Sequence, residues 1–268
     1  MKNTLQRTRA GLLRIASRNR KALRDLPPGL YDYWARSAPT EFPGIPTDAF
    51  FYARAADALL TFFECMKRHR MPCALPSKAA DSVWHAWLRH DAAGLDAFCE
   101  RHYEQRIPHV EEAAMDGGMD LPLARCLVMA RTLDRQFLAG PAVPRLFATD
   151  RQLRMPGGFG YRARRGLMVL SHLDERGLPA AATQVHPGTD PWFLYEAGLI
   201  GGHDLERWRQ RYASRHAGGT GSGDWGTAGG DSSGCGSGGD GDGGGGNGDG
   251  SGGCGSSCGG GCGGGGGD

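Results

Sequence analysis

Four of the nine histidines in this chain lie between residues 80 and 109, in the stretch ADSVWHAWLRHDAAGLDAFCERHYEQRIPH, together with one of its eight cysteines. Histidine nitrogen, cysteine sulfur and carboxylate oxygen are the atoms that bind zinc in proteins. An aspartate precedes the first histidine by one helical turn, so these two side chains would share a helix face. The candidate metal ligands in this stretch are Asp81, His85, Cys99, His102 and His109.

Two helices are expected to position these side chains. The first is predicted to begin after Ser77, a good N-terminal capping residue, and to end near His90. The second is predicted to begin at Asp91 or Gly94 and to run to about Gln105, with Cys99 on its apolar face. Because the connection HDAAG is short, the two helices should be antiparallel neighbours. That arrangement would bring the candidate ligands close together.

Several chemistries fit this group of residues. A zinc ion between facing helices is one. In a second, Asp81 orients His85, and in a third His102 activates Cys99 as a nucleophile. Ordinary packing is the fourth, since cysteine packs as a small apolar residue. The spacing matches no standard zinc motif, so the residues alone favour packing over a metal site, and a metal site over catalysis.

The pattern DSVWHAW…FCERHYEQRIPHV resembles the signature of glycine-rich domain-containing proteins of bacteria and plants. That signature runs D-x-x-W-H, then F-C, then a histidine pair before valine and proline, and it covers about residues 45 to 160 plus the glycine-rich tail. The resemblance implies that Asp81, His85, Cys99 and His109 act as a unit, but it implies no activity. The sequence departs from the pattern at the histidine pair, where Pro108 replaces the first histidine. His102 would then be the substitute ligand.

The last 51 residues, 218–268, contain 29 glycines and no leucine, isoleucine or valine. Such a segment buries no core, so a disordered Gly/Cys/Asp-rich tail is predicted. Its four cysteines could wrap a soft metal ion, although nothing preorganises them. A docking segment for an unknown protein partner and a post-translationally modified segment, similar to azole-containing microcins, are alternatives. The candidate ligands of the tail are Cys235, Cys254, Cys258 and Cys262.

The rest of the chain predicts one helical domain over residues 27–217, so the fold class is mainly α. The domain should contain a core helix that begins after Thr47 or Asp48 and a later helix opened by Pro122. The glycine-rich segment RMPGGFGYRARRG is expected to form an irregular insert. It lacks the lysine and hydroxyl residues of a phosphate-binding loop.

Residues 1–26 predict a basic amphipathic helix, with eight basic and no acidic side chains in the first 24. Leu5, Leu12, Ala16 and Leu23 would form its apolar stripe. We expect this stripe to dock on the protein's own domain, and weak contact with an anionic membrane is the alternative. An arginine-rich start without acidic residues is also typical of a transit peptide.

No secretory signal and no transmembrane segment is predicted, so a cytoplasmic location is expected. No nucleic-acid partner is expected either. The chain shows no nucleophile elbow, phosphate loop or dinucleotide fingerprint, which disfavours an enzyme. The leading prediction is a non-catalytic protein that binds a zinc-like ion in a structural or metal-handling role. The alternative is an interaction or scaffold protein that acts through its tail.

Overall fold

In the computed structural model, the described residues are 2–109 and 118–212. Within them the protein is mainly helical, as predicted. The helices are α1 (Lys2–Ala16), α2 (Arg20–Arg24), α3 (Leu30–Glu41), α4 (Ala49–His69), α5 (Lys78–Tyr103), α6 (Asp120–Leu133), α7 (Thr149–Leu153), α8 (Pro191–Glu196) and α9 (Gly202–Tyr212). A hairpin of β1 (Phe159–Arg164) and β2 (Leu167–His172), followed by a short 3-10 helix (Pro187–Thr189), separates α7 from α8.

Helix α4 lies at the centre of the core and packs against α1, α5 and α6. Its N-terminus is capped by Asp48, whose carboxylate accepts hydrogen bonds from the backbone N–H groups of Phe50 and Phe51. Eleven of its residues are buried, and they recur at helical spacing. The predicted core helix and its cap are therefore confirmed.

Helix α5 consists of two helical segments, residues 78–90 and 92–103, joined at Asp91, whose backbone is extended. The rings of Trp87 and Phe98 lie 4.8 Å apart, centroid to centroid. In one straight helix these residues would be separated by roughly 16 Å along the axis, so the chain folds back at Asp91. The Asp91 carboxylate caps the second segment by accepting from the backbone N–H of Gly94 at 2.8 Å. The two predicted helices thus lie side by side.

Helix α3 was not predicted from the sequence. Leu30, Trp34 and Ala38 recur every four residues and are fully buried, so they form the face on which the helix packs against α5. Pro39 lies inside the helix near its end. Burial of this face stabilises the helix in spite of the proline, and the helix extends to Glu41.

The expected irregular insert is instead an antiparallel hairpin. β1 and β2 pair in register from Phe159 opposite His172 to Arg164 opposite Leu167. The two connecting residues, Arg165 and Gly166, both have positive φ angles, 47° and 82°. That is the backbone of a type I′ turn, whose twist matches the twist of paired strands.

The predicted single helix over residues 1–26 is two helices, α1 and α2, which both pack on α4. The break lies at Ser17 and Asn19, whose side chains donate hydrogen bonds to the Asp57 carboxylate on α4. The predicted docking stripe is also wrong in part. Leu5 and Leu12 are 61% and 63% exposed, whereas Ala10, on the opposite side of α1, is buried.

No helix in residues 2–109 and 118–212 combines the length and apolar character needed to cross a lipid bilayer.

Candidate metal centre

Three of the predicted ligands, Asp81, His85 and His109, lie together beside the first segment of α5. Asp81 and His85 lie one turn apart in the first segment of α5, so their side chains share a face. His109 follows the second segment in an irregular stretch, anchored by the buried side chain of Ile107. The reversal of the chain at Asp91 brings His109 back beside the first segment.

The three ligand atoms form a compact triangle. Nε2 of His85 lies 3.0 Å from Nε2 of His109, which in turn lies 3.1 Å from Oδ1 of Asp81. The third side, from Nε2 of His85 to Oδ1 of Asp81, is 3.5 Å. In a tetrahedral zinc site with bonds of ~2.0–2.1 Å, neighbouring ligand atoms are separated by roughly 3.3 Å. The triangle therefore has the dimensions of one face of such a tetrahedron.

The arrangement is singular within the described part of the chain. Among residues 2–109 and 118–212, no other group of three His, Cys, Asp or Glu side chains has all its potential ligand atoms within 4.8 Å of one another. The three side chains are partly buried, with exposed fractions between 17% and 29%. An ion in this position would therefore be held at the surface, with solvent on one side.

Glu41, at the end of α3, orients one of the histidines. Its Oε1 accepts a hydrogen bond from Nδ1 of His85, and its Oε2 accepts from the Arg89 guanidinium at 2.7 Å. A proton on Nδ1 leaves Nε2 of the same ring unprotonated, which is the form that binds a metal. Carboxylate–histidine–metal arrangements of this kind are common around zinc.

The charge on Glu41 is maintained by the same contacts. Burial by itself raises the pKa of this carboxyl, but the hydrogen bonds from Arg89 and His85 and the positive charge of Arg89 bring the pKa below its ordinary value. Glu41 is therefore ionised at neutral pH. An ionised acceptor on Nδ1 makes the imidazole of His85 a stronger ligand.

Aromatic rings surround the two histidines. The ring of Trp84 lies 4.6 Å from the ring of His109 in an edge-to-face contact, and Phe42 lies 6.1 Å from His85. The two imidazoles themselves are 4.6 Å apart. This packing restricts how far either imidazole can rotate, and it keeps their Nε2 atoms directed at a common point.

The geometry also permits a cluster held by hydrogen bonds alone. With a proton on Nε2, His109 would donate to Oδ1 of Asp81 and to Nε2 of His85. This is the packing alternative, and it uses the same three atoms. Metal titration and histidine variants therefore distinguish metal binding from a purely hydrogen-bonded cluster.

The structure does not bring Cys99 and His102 into this cluster. The Cys99 thiol is buried on the inner face of the second segment, and burial raises its pKa to about 12. Nε2 of His102 lies 3.2 Å from an oxygen of Asp25, and its ring packs on Phe98. A thiol with so high a pKa is a poor nucleophile at neutral pH, which disfavours the pair Cys99 and His102 as a catalytic unit.

The remaining predicted ligands, Cys235, Cys254, Cys258 and Cys262, lie outside the described residues.

Glu41 and Arg89 are the residues of the centre that the sequence did not indicate. Arg89 follows His85 by one turn, which is a usable signal for a shared helix face. Glu41 is 44 residues from His85 and gave no local signal.

Comparison with known proteins yields no relative: no family model, no curated protein and no solved structure matches this chain. The resemblance to glycine-rich domain-containing proteins therefore stays a prediction. The assignment of a metal depends on the geometry of the cluster.

Proposed function

We propose that this protein binds a zinc-like divalent ion through Asp81, His85 and His109, in a non-catalytic, metal-handling role. The observation that carries the proposal is the triangle of ligand atoms with sides of 3.0, 3.1 and 3.5 Å. The carboxylate of Glu41 on the outer nitrogen of His85 supports it, since a metal-binding histidine commonly has such a partner.

Three protein ligands leave the fourth tetrahedral position to water or to an external donor. Structural zinc sites are usually closed by four protein ligands, whereas a site with an open position exchanges its fourth ligand. The partial exposure of all three side chains also favours exchange of the ion with solution. Reversible metal handling therefore fits these residues better than a permanent structural ion.

A role without catalysis fits the buried thiol of Cys99, whose raised pKa makes it a poor nucleophile.

The test is metal binding by the full chain in which Cys235, Cys254, Cys258 and Cys262 are replaced by serine, so that tail thiolates cannot contribute. We expect close to one equivalent of zinc by calorimetric titration. Cobalt(II) should bind with the absorption of nitrogen and oxygen ligands and without a thiolate charge-transfer band. Binding of less than a tenth of an equivalent of zinc or cobalt would overturn the proposal.

Matched variants locate the ion. His85→Ala and His109→Ala should each abolish binding, because each removes a ligand. His90→Ala should not, since His90 lies exposed in the same helical segment and its ring packs against that of Tyr33, away from the cluster. If the cluster is only hydrogen-bonded, His85→Ala would lower the free energy of unfolding by about 1–3 kcal/mol, because it leaves hydrogen-bonding partners unsatisfied. Zinc would then have no effect on the stability of the protein with or without this substitution.

A further inference from the structure

Helix α1 carries an apolar surface that no other part of the described chain covers. Leu5, Leu12 and Ile15 are 61%, 63% and 74% exposed. At 100° per residue they lie within about 80° of one another on the helix. We call these three side chains the outer stripe. They are three of the eight large apolar residues exposed in the described part of the chain.

The outer stripe is not the face by which α1 is attached to the protein. Ala10 is buried at the contact with α4, and Ser17, just after the helix, is buried against Asp57. On the helix these positions are opposite the outer stripe. The helix is therefore fixed to the domain on one side and presents apolar residues to solvent on the other. Exposed apolar residues grouped on one element commonly mark an interaction surface.

Positive charge flanks the outer stripe. Arg7 and Arg14 lie exposed on one side of it, and Arg9 lies on the other. Residues 2–16 contain no acidic side chain. Among the described residues, none of these three arginines forms an ion pair; the guanidinium of Arg9 lies over the ring of Phe50.

We infer that α1 docks the protein on membranes that contain anionic phospholipid. Leucine and isoleucine would enter the boundary between headgroups and acyl chains, while the arginines contact lipid phosphates. Long arginine side chains can extend from the helix flanks to the phosphate level. Because α1 is already folded on α4, membrane binding does not require the helix to form, and this lowers the entropic cost of binding.

Two other occupants fit the surface less well. The acidic segment 218–268 contains no leucine, isoleucine or valine, so it could meet the arginines but would leave the apolar side chains uncovered. A second copy of this chain, packed through the same helix, would bring arginines near arginines. An anionic bilayer satisfies both the apolar and the charged part of the surface.

The test is flotation of the full chain with vesicles. Binding is expected to vesicles of equal parts phosphatidylglycerol and phosphatidylcholine, and only weakly to pure phosphatidylcholine. Binding should fall steeply as ionic strength rises from about 0.05 M to about 0.5 M, because salt screens the arginines. No binding to anionic vesicles at the lower ionic strength would overturn the inference.

Two variants separate the apolar and charged contributions. Leu5→Ser/Leu12→Ser/Ile15→Ser should abolish binding. Arg7→Gln/Arg14→Gln should weaken it roughly 30-fold, since each basic residue near an anionic surface contributes a factor of about 5. All five side chains are exposed, so both proteins should keep the wild-type circular dichroism.

Matched controls carry the same changes elsewhere on the surface. Leu178→Ser/Val185→Ser removes exposed apolar residues, and Arg151→Gln/Arg176→Gln removes exposed charge. Both should bind vesicles like the wild type. Equal losses in these controls would contradict a specific role for α1. A dimer in solution that only the outer-stripe variant dissociates would show instead that a second copy occupies this surface.

Discussion

At the candidate metal centre, Nδ1 of His85 faces Glu41 and Nε2 faces His109, where we propose that the ion binds. Glu41→Gln keeps an acceptor for the Nδ1 proton but removes the negative charge. We expect zinc affinity to fall about 10–100-fold, the usual effect of losing such a partner. Competition with a chelator measures this loss. Glu64→Gln, which removes an exposed ion pair with Arg68, is the control and should leave the affinity unchanged.

The melting temperature of the metal-free protein shows whether Glu41→Gln lowers zinc affinity without disturbing the fold. Glu41→Gln should leave the metal-free melting temperature close to that of the wild type, because partly exposed ion pairs contribute little to stability. A large drop in the metal-free protein, with unchanged zinc affinity, would show that Glu41 holds α3 in place and does not orient the ligand.

The four cysteines of the described residues should resist alkylation in the native protein. All are buried, and burial raises the pKa of Cys73 and of Cys99 to about 12. Because the thiolate is the reactive form, iodoacetamide at about pH 8 should label neither residue until the protein is unfolded. Peptide mapping by mass spectrometry reads out the labelling. Rapid native labelling of Cys99 would restore it as a candidate nucleophile.

His102 gives a pH dependence of stability whose sign follows from its surroundings. Burial lowers its pKa; Asp25 opposes this, while Lys21 and Arg101 add to it. The unfolded chain, with a pKa of about 6.5 for histidine, therefore binds the proton at a higher pH than the folded chain. The contribution of His102 to the free energy of unfolding is full above the pKa of the unfolded chain, and it is lost as pH falls through the lower pKa of the folded chain.

Replacing this histidine tests the sign. Urea unfolding at about pH 7 and about pH 5 should show a smaller loss of stability in His102→Gln than in the wild type. The exposed His203, replaced by glutamine, is the control and should follow the wild type. A loss as large in His102→Gln as in the wild type would assign the pH dependence to other groups.

At the scale of elements, the N-terminus of α5 is fixed by a buried carboxylate. Asp150, with no exposed surface, accepts hydrogen bonds from the Ser77 hydroxyl at 2.6 Å and from the backbone N–H groups of Lys78 and Ala79 at 2.9 and 3.0 Å. It also accepts from the backbone N–H of Phe159, at the start of β1. One side chain thus connects α7, the hairpin and the helix that begins just before Asp81, the first proposed metal ligand.

Removing this carboxylate should affect both stability and metal binding. Asp150→Ala leaves four donors, two of them fully buried, without their acceptor, so we expect a loss of about 3–5 kcal/mol in the free energy of unfolding and weaker zinc binding. Asp150→Asn, which keeps one acceptor oxygen, should be intermediate. Asp190→Ala, which removes the cap of the peripheral α8, should cost only about 1 kcal/mol and leave zinc binding intact.

At the scale of the whole molecule, a ligand that binds only the folded state raises its stability. Zinc at 100 times its dissociation constant should add about 2.7 kcal/mol. A melting curve of the full chain with serine in place of Cys235, Cys254, Cys258 and Cys262 would show this as a higher melting temperature. A chelator should reverse the rise. In His85→Ala neither zinc nor chelator should shift the curve, and a shift of wild-type size there would place the ion elsewhere.

Much of the helical fold follows from local sequence. The caps at Asp48 and Ser77 were predictable because a short polar side chain bonds the free N–H groups two or three residues ahead of it. The reversal at HDAAG was predictable because a short connection between two apolar-faced helices permits few other arrangements. The hairpin and α3 were not predicted, since their stability comes from pairing and burial against distant residues.

The sequence by itself determined that Asp81 and His85 share a helix face, because helical periodicity fixes the direction of side chains four residues apart. It could not choose among Cys99, His102 and His109 as their companions. Tertiary structure decided that choice by folding the chain back at Asp91, which buries Cys99 and returns His109 to His85. It also added Glu41, since contacts between residues 44 apart depend on how α3 packs against α5 and leave no periodic signal in the chain.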